Sequence, residues 1–114
     1  MKIIKLELDF LIGPIIKDVY SVSKNKLITG IDVIDNDSVL NELNDKASAL
    51  YSSFYEFNND EACTFNALIA KEHYEELSEI INKIKNRLNM LNDGTYKLND
   101  MVSDQLKNIY NNIQ

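Results

Sequence analysis

Four carboxylates, Glu72, Glu75, Glu76 and Glu79, crowd one short stretch together with the chain's single histidine, His73. Paired carboxyls do acid–base work when one sits in an apolar pocket that raises its pKa. At helical spacing these carboxylates instead face water together. His73 falls between Ile69 and Leu77 on the apolar side of the same helix, with no HExxH or comparable ligand spacing around it. It reads as a half-buried structural histidine. The one cysteine, Cys63, has no basic neighbour in sequence, and Asp60 and Glu61 beside it would raise its thiol pKa rather than lower it. It reads as an inert, buried cysteine.

Asp32, Asp35 and Asp37 raise the question of calcium. An EF-hand loop beginning at Asp35 needs Gly at its sixth position and Glu at its twelfth. Leu40 and Lys46 stand there. Capping of a helix start accounts for these acids without a metal. Glycines 13, 30 and 94 stand apart, so no phosphate-cradling loop is present. These residues imply no catalytic group, no metal site and no cofactor. What remains is acid beside tyrosine. Tyr51, Tyr55 and Tyr74 lie in or near the acidic stretch, and tyrosine supplies broad amphipathic contact area at low entropy cost. The expected partner-binding residues are Glu72, Glu75, Glu76, Glu79, Tyr51, Tyr55 and Tyr74.

Charge is unevenly distributed along the 114 residues. Residues 35–79 hold eleven acids against Lys46 and Lys71, while the flanking segments are slightly basic. A nucleic-acid binder needs a basic stripe to neutralise phosphates, so that class is excluded. A basic protein partner is favoured. No run of about 20 apolar residues is present, so no membrane span is expected. Residues 1–10 alternate polar and apolar types, unlike a signal peptide, and one cysteine suits a reducing compartment. A cytoplasmic location is expected.

The elements that must position these residues follow from periodicity. Ile4, Leu6, Leu8 and Phe10 alternate with Lys5, Glu7 and Asp9, the pattern of a half-buried strand. Residues 18–22 and 26–33 read as two more strands joined by a turn at Ser23-Lys24-Asn25, where Asn25 tolerates positive φ. Asp35-Asn36-Asp37-Ser38 opens a helix whose apolar face runs Val39, Leu40, Leu43, Ala47, Leu50, Phe54 and Phe57. Residues 58–66 read as a loop. A long helix over about 67–92 carries the stripe Ile69, His73, Leu77, Ile80, Ile81, Ile84, Leu88 and Leu91, ended by Gly94. There is room for a short fourth strand at 96–98. Asn99 or Asp100 then caps a last helix packing through Leu106, Ile109, Tyr110 and Ile113.

The expectation is a single α+β domain over 1–114, a β meander in 1–34 and mainly helical in 35–114. A small antiparallel three-stranded sheet is covered by two amphipathic helices, with a third helix at the C-terminus. The expected role is a non-catalytic, protein-binding inhibitor: an immunity protein or antitoxin that blocks a bacterial toxin domain through its acidic surface. A phage-encoded, anti-CRISPR-like mimic of nucleic acid that inhibits a host defence nuclease is the alternative, as is a structural or adaptor subunit. Oligomeric state is not legible in the sequence.

Overall fold

The computed structural model describes residues 2–10, 13–57 and 63–114. The fold is mixed α+β, with four helices and six short strands among the described residues. Strand β1, Lys2–Leu6, buries Ile4 and Leu6, and Leu8 beyond its end is buried too, as the alternation requires. Its partner is β6, Tyr96–Asp100, in a parallel ladder that runs from Lys2 opposite Tyr96 to Leu6 opposite Asp100. The expected three-stranded antiparallel meander does not form in the described residues, where each sheet is a pair. Past β1, Leu8 is held by a side chain. The Gln105 carboxamide accepts from Leu8 N and donates to Leu8 O, so it acts as a short substitute for a neighbouring strand.

On the other edge of β1 the chain doubles back. Glu7 N donates to Pro14 O, and Ile16 N donates to Lys5 O. A side chain at Gly13 would collide with the carbonyl oxygen of Glu7, so this close return needs glycine. Strands β2, Val19–Ser21, and β3, Lys26–Ile28, form the expected hairpin, with Asn25 at φ 53° in its turn.

The strand expected to run on to Val33 stops earlier, because Asp32–Asp35 forms the short helix α1. The buried Asp35 carboxylate causes the break. It accepts from Thr29 N, Thr29 Oγ1 and Gly30 N, folding the chain back on itself where Gly30 takes φ 85°. Helix α2, Ser38–Ser53, is capped by Asp37, which accepts from Leu40 N. It ends four residues short of the expected Phe57. Ser52 and Ser53 are weak helix formers, and the alternating Tyr55–Phe57 forms β4 instead, paired antiparallel with β5, Cys63–Phe65. Of the expected loop over 58–66, residues 58–62 lie outside the described ones, and the acids Asp60 and Glu61 with them.

Helix α3, Ala67–Leu91, matches expectation closely. Asn66 caps it by accepting from Leu68 N and Ile69 N, and Gly94 beyond its end has φ 95°. Ala70, Leu77, Ile81, Ile84 and Leu88 are buried in a core shared with Ile4, Leu6, Leu40, Phe54, Tyr96 and Val102. The Arg87 guanidinium forks onto the Asp37 carboxylate, with N–O distances of 2.6 and 3.0 Å, and ties α3 to the start of α2. Helix α4, Val102–Asn112, buries Val102, Leu106 and Ile109. The Asp100 carboxylate caps it by accepting from Val102 N and Ser103 N. Tyr110, expected in the packing stripe, is about half exposed, because it lies beside the buried stripe of Val102, Leu106 and Ile109, where its ring meets Tyr74 on α3. No helix among the described residues is long and apolar enough to cross a membrane.

Candidate protein-docking face

Helix α3 lies between α2 and α4, so its outward side is determined by its two neighbours. Arg87 and Ile80 turn toward α2, while Tyr74 and Lys85 turn toward α4. At about 100° per residue, Glu72, Glu75 and Glu79 then point away from the buried stripe, together with Asn82 and Asn86. All five are exposed. None of the three carboxylates forms an ion pair among the described residues. Four cations are matched to other acids, Lys5 to Glu7, Lys46 to Glu42, Lys85 to Asp100 and Arg87 to Asp37, while Lys71 and Lys83, exposed on α3 itself, form no ion pair among the described residues and offset only part of its acidic charge. The outward side of α3 therefore carries surplus negative charge on a well-anchored helix.

Glu76 stands apart from the other three. It lies on the α2 flank, where its carboxylate approaches His73 Nδ1 at 3.2 Å, and it lines a groove with Lys46, Leu50 and Ile80. His73 is thus a partly exposed histidine with an acidic neighbour. On the opposite flank Tyr74 meets Tyr110, ring centres 5.6 Å apart, at the mouth of a cleft of about 470 Å3 between α3 and α4. Burial and the nearby Tyr110 and Glu75 raise the Tyr74 phenol above its ordinary pKa.

The expected binding residues do not form one surface. Tyr51 and Tyr55 lie on the far side of α4 from Tyr74. They share a cleft of about 270 Å3 with Gln105, Asn108 and Asn112, which project from α4 on the side opposite Tyr110. Their rings join Phe10 and Phe65 in a mostly edge-to-face cluster, with centroids 5.1 to 5.4 Å apart. Burial, the Tyr55 hydroxyl and nearby acids push the Tyr51 phenol far above its ordinary value. Cys63, expected to be buried, is exposed on β5. A three-residue strand in a two-stranded sheet buries little, and Cys63 stands at its outer end, opposite Phe57.

The three aspartates considered for calcium have separate tasks. Asp35 binds the Thr29–Gly30 backbone, Asp37 binds Arg87 and Leu40 N, and Asp32 is exposed. Among the described residues no three His, Cys, Asp or Glu side chains gather as a metal-holding group.

No protein-family model, curated protein or solved structure matches this chain. The residues alone carry the functional reading. Sequence reasoning did not pair Tyr110 with Tyr74, and a signal was available: Tyr110 lies four residues after Leu106, beside rather than on the buried stripe.

Proposed function

We propose that this chain is a non-catalytic, protein-binding inhibitor, in its most concrete form an immunity protein or antitoxin that neutralises a bacterial toxin domain inside the producing cell. The observation that supports it is the row Glu72, Glu75 and Glu79 on the outward side of α3, which forms no ion pair among the described residues. Glu72 with Glu76 and Glu75 with Glu79 stand four residues apart and repel, costing an isolated helix a few tenths of a kcal/mol per pair. A helix shaped by stability alone gains from lysine at some of these positions. Binding to a cationic surface offsets the repulsion, and toxin domains that act on nucleic acid carry such surfaces. Tyr74 and Tyr110 at the flank add amphipathic contact area.

The test begins by capturing the partner from the native host with the purified chain. Association rates are then measured across a salt series for wild type and for the Glu72→Gln, Glu75→Gln, Glu79→Gln variant. The triple variant is expected to associate more slowly, most visibly at low salt, where the Debye length exceeds about 10 Å. Equal rates at every salt concentration would exclude this face. A captured host-defence nuclease would favour the phage-inhibitor alternative, and a captured assembly subunit without enzymatic activity would favour an adaptor.

A further inference from the structure

The β2–β3 hairpin is weakly supported by the rest of the described fold. Its strands pair with each other, and among the described residues no backbone group outside the hairpin bonds to either of them. Tyr20 stands opposite Leu27 on one face, at 56% and 46% exposure, and Val22 in the turn is 85% exposed. The Tyr20 hydroxyl donates to the Asn25 carboxamide, which lays the ring along the hairpin. A hairpin standing alone is marginal in water, and open strand edges beside exposed apolar side chains invite a further strand.

The charge of the segment indicates what kind of strand fits. Lys17 and Lys24 reach the carboxamide oxygens of Asn41 and Asn36, not carboxylates. Lys26 forms no ion pair among the described residues. Asp18 is the one acid between residues 17 and 28. We infer that the hairpin is a second docking site, and that its occupant is an extended, acidic segment of a partner protein added to the hairpin edge as a third strand. Backbone pairing supplies affinity, Tyr20 and Leu27 take alternate apolar side chains, and the lysines take the carboxylates. A lipid surface fits less well, because acyl chains leave open backbone N–H and C=O groups unsatisfied. This site is independent of the α3 face.

The experiment follows backbone amides of the isotopically labelled full chain by NMR during titration with a short synthetic peptide of alternating Glu and Val. The expected result is shifted, exchange-protected amides in residues 19–28, with α3 amides unchanged. A peptide with Lys in place of Glu, and one with a central proline, are expected to leave the hairpin unchanged. Lys24→Glu with Lys26→Glu, two exposed positions, is expected to weaken the peptide by about tenfold, the scale of two surface ion pairs. The Glu72→Gln, Glu75→Gln, Glu79→Gln variant is expected to bind the peptide as wild type does, which separates this result from the fate of the α3 face. An unchanged hairpin at millimolar peptide, or equal binding by the Lys or proline peptides, would overturn the proposal. So would hairpin shifts that appear on concentrating the chain alone, which would make the occupant a second copy. Binding to phosphatidylglycerol vesicles that the lysine variant abolishes, without binding of the Glu/Val peptide, would overturn it in favour of a membrane.

Discussion

Helix α3 buries Ala70, Leu77, Ile81, Ile84 and Leu88 and presents carboxylates to water. The β2–β3 hairpin buries none of its strand side chains and presents Tyr20, Val22 and Leu27. An element anchored by one face is free to carry mutually repelling charge on the other, because burial far outweighs a few tenths of a kcal/mol of repulsion. An element without a buried face has no such reserve. Its exposed apolar side chains are then better explained by what they meet outside the molecule than by what they do within it. The exposed charge also differs in sign: the first half of α3 presents Glu72, Glu75 and Glu79, although the helix as a whole balances its acids with Lys71, Lys83, Lys85 and Arg87, and the hairpin is cationic.

Truncation of the α3 stripe probes this difference most strongly. Leu77→Ala, Ile81→Ala and Ile84→Ala are each expected to cost about 2–5 kcal/mol, since each leaves a cavity in a packed core. Leu27→Ala in the hairpin is expected to cost no more than about 0.5 kcal/mol. Urea midpoints measure both, and a Leu27 cost equal to that of Leu77 would abolish the comparison.

A smaller effect is expected at the clamp that seats α3 on α2. Asp37→Ala removes the cap of α2, worth about 1–2 kcal/mol, and frees Arg87. The Arg87 hydrogen bonds hold the Asp37 carboxyl below its ordinary value of 3.8. A carboxyl depressed in the folded state stabilises fully above its unfolded pKa and loses that contribution as pH falls through the folded one. The stability difference between wild type and Asp37→Asn is therefore expected to be constant from pH 7 down to about pH 5, and to shrink below the ordinary carboxylate range. A difference that grows on acidification would show that Asp37 is not held as a charged partner of Arg87.

The smallest effect belongs to the acidic face. Glu72→Gln, Glu75→Gln and Glu79→Gln together are expected to leave stability unchanged or raise it by a few tenths of a kcal/mol. A loss above about 1 kcal/mol would mean that these carboxylates serve the fold.

What the sequence revealed, and what it hid, depends on range. The alternation Ile4, Leu6, Leu8 and the stripe from Leu77 to Leu88 are local periodicities; Ile4, Leu6, Leu8, Leu77, Ile81, Ile84 and Leu88 are buried as read, while Ile80 is only partly buried at the α2 flank. The Asn25 turn is likewise a local property of one residue type. The partner of β1 is not local: a strand pattern states which face is buried and nothing about which distant segment supplies the ladder. Strands of three residues, such as Tyr55–Phe57 and Cys63–Phe65, are too short to show a period, so the first merged into the preceding helix and the second into a loop. For the site, helical phase was enough to put Glu72, Glu75 and Glu79 on one outward side and Glu76 at its flank. It could not show that α4 separates Tyr74 from Tyr51 and Tyr55, because that depends on where a third helix docks.

The contact between Leu8 and Gln105 closes a separation of 97 positions, and the β1–β6 ladder closes one nearly as long. A ribosome delivers the first strand long before the segment that pairs with it. Until residues 96–105 are made, Ile4, Leu6 and Leu8 therefore have no β6 and no Gln105 to cover them, and the growing polypeptide presents an open apolar edge. Closing so long a loop comes late and slowly compared with winding α3, whose contacts are local. Nascent chains arrested before residue 96 has emerged are therefore expected to show a formed long helix and a protease-sensitive amino-terminal strand, and full-length chains a protected one.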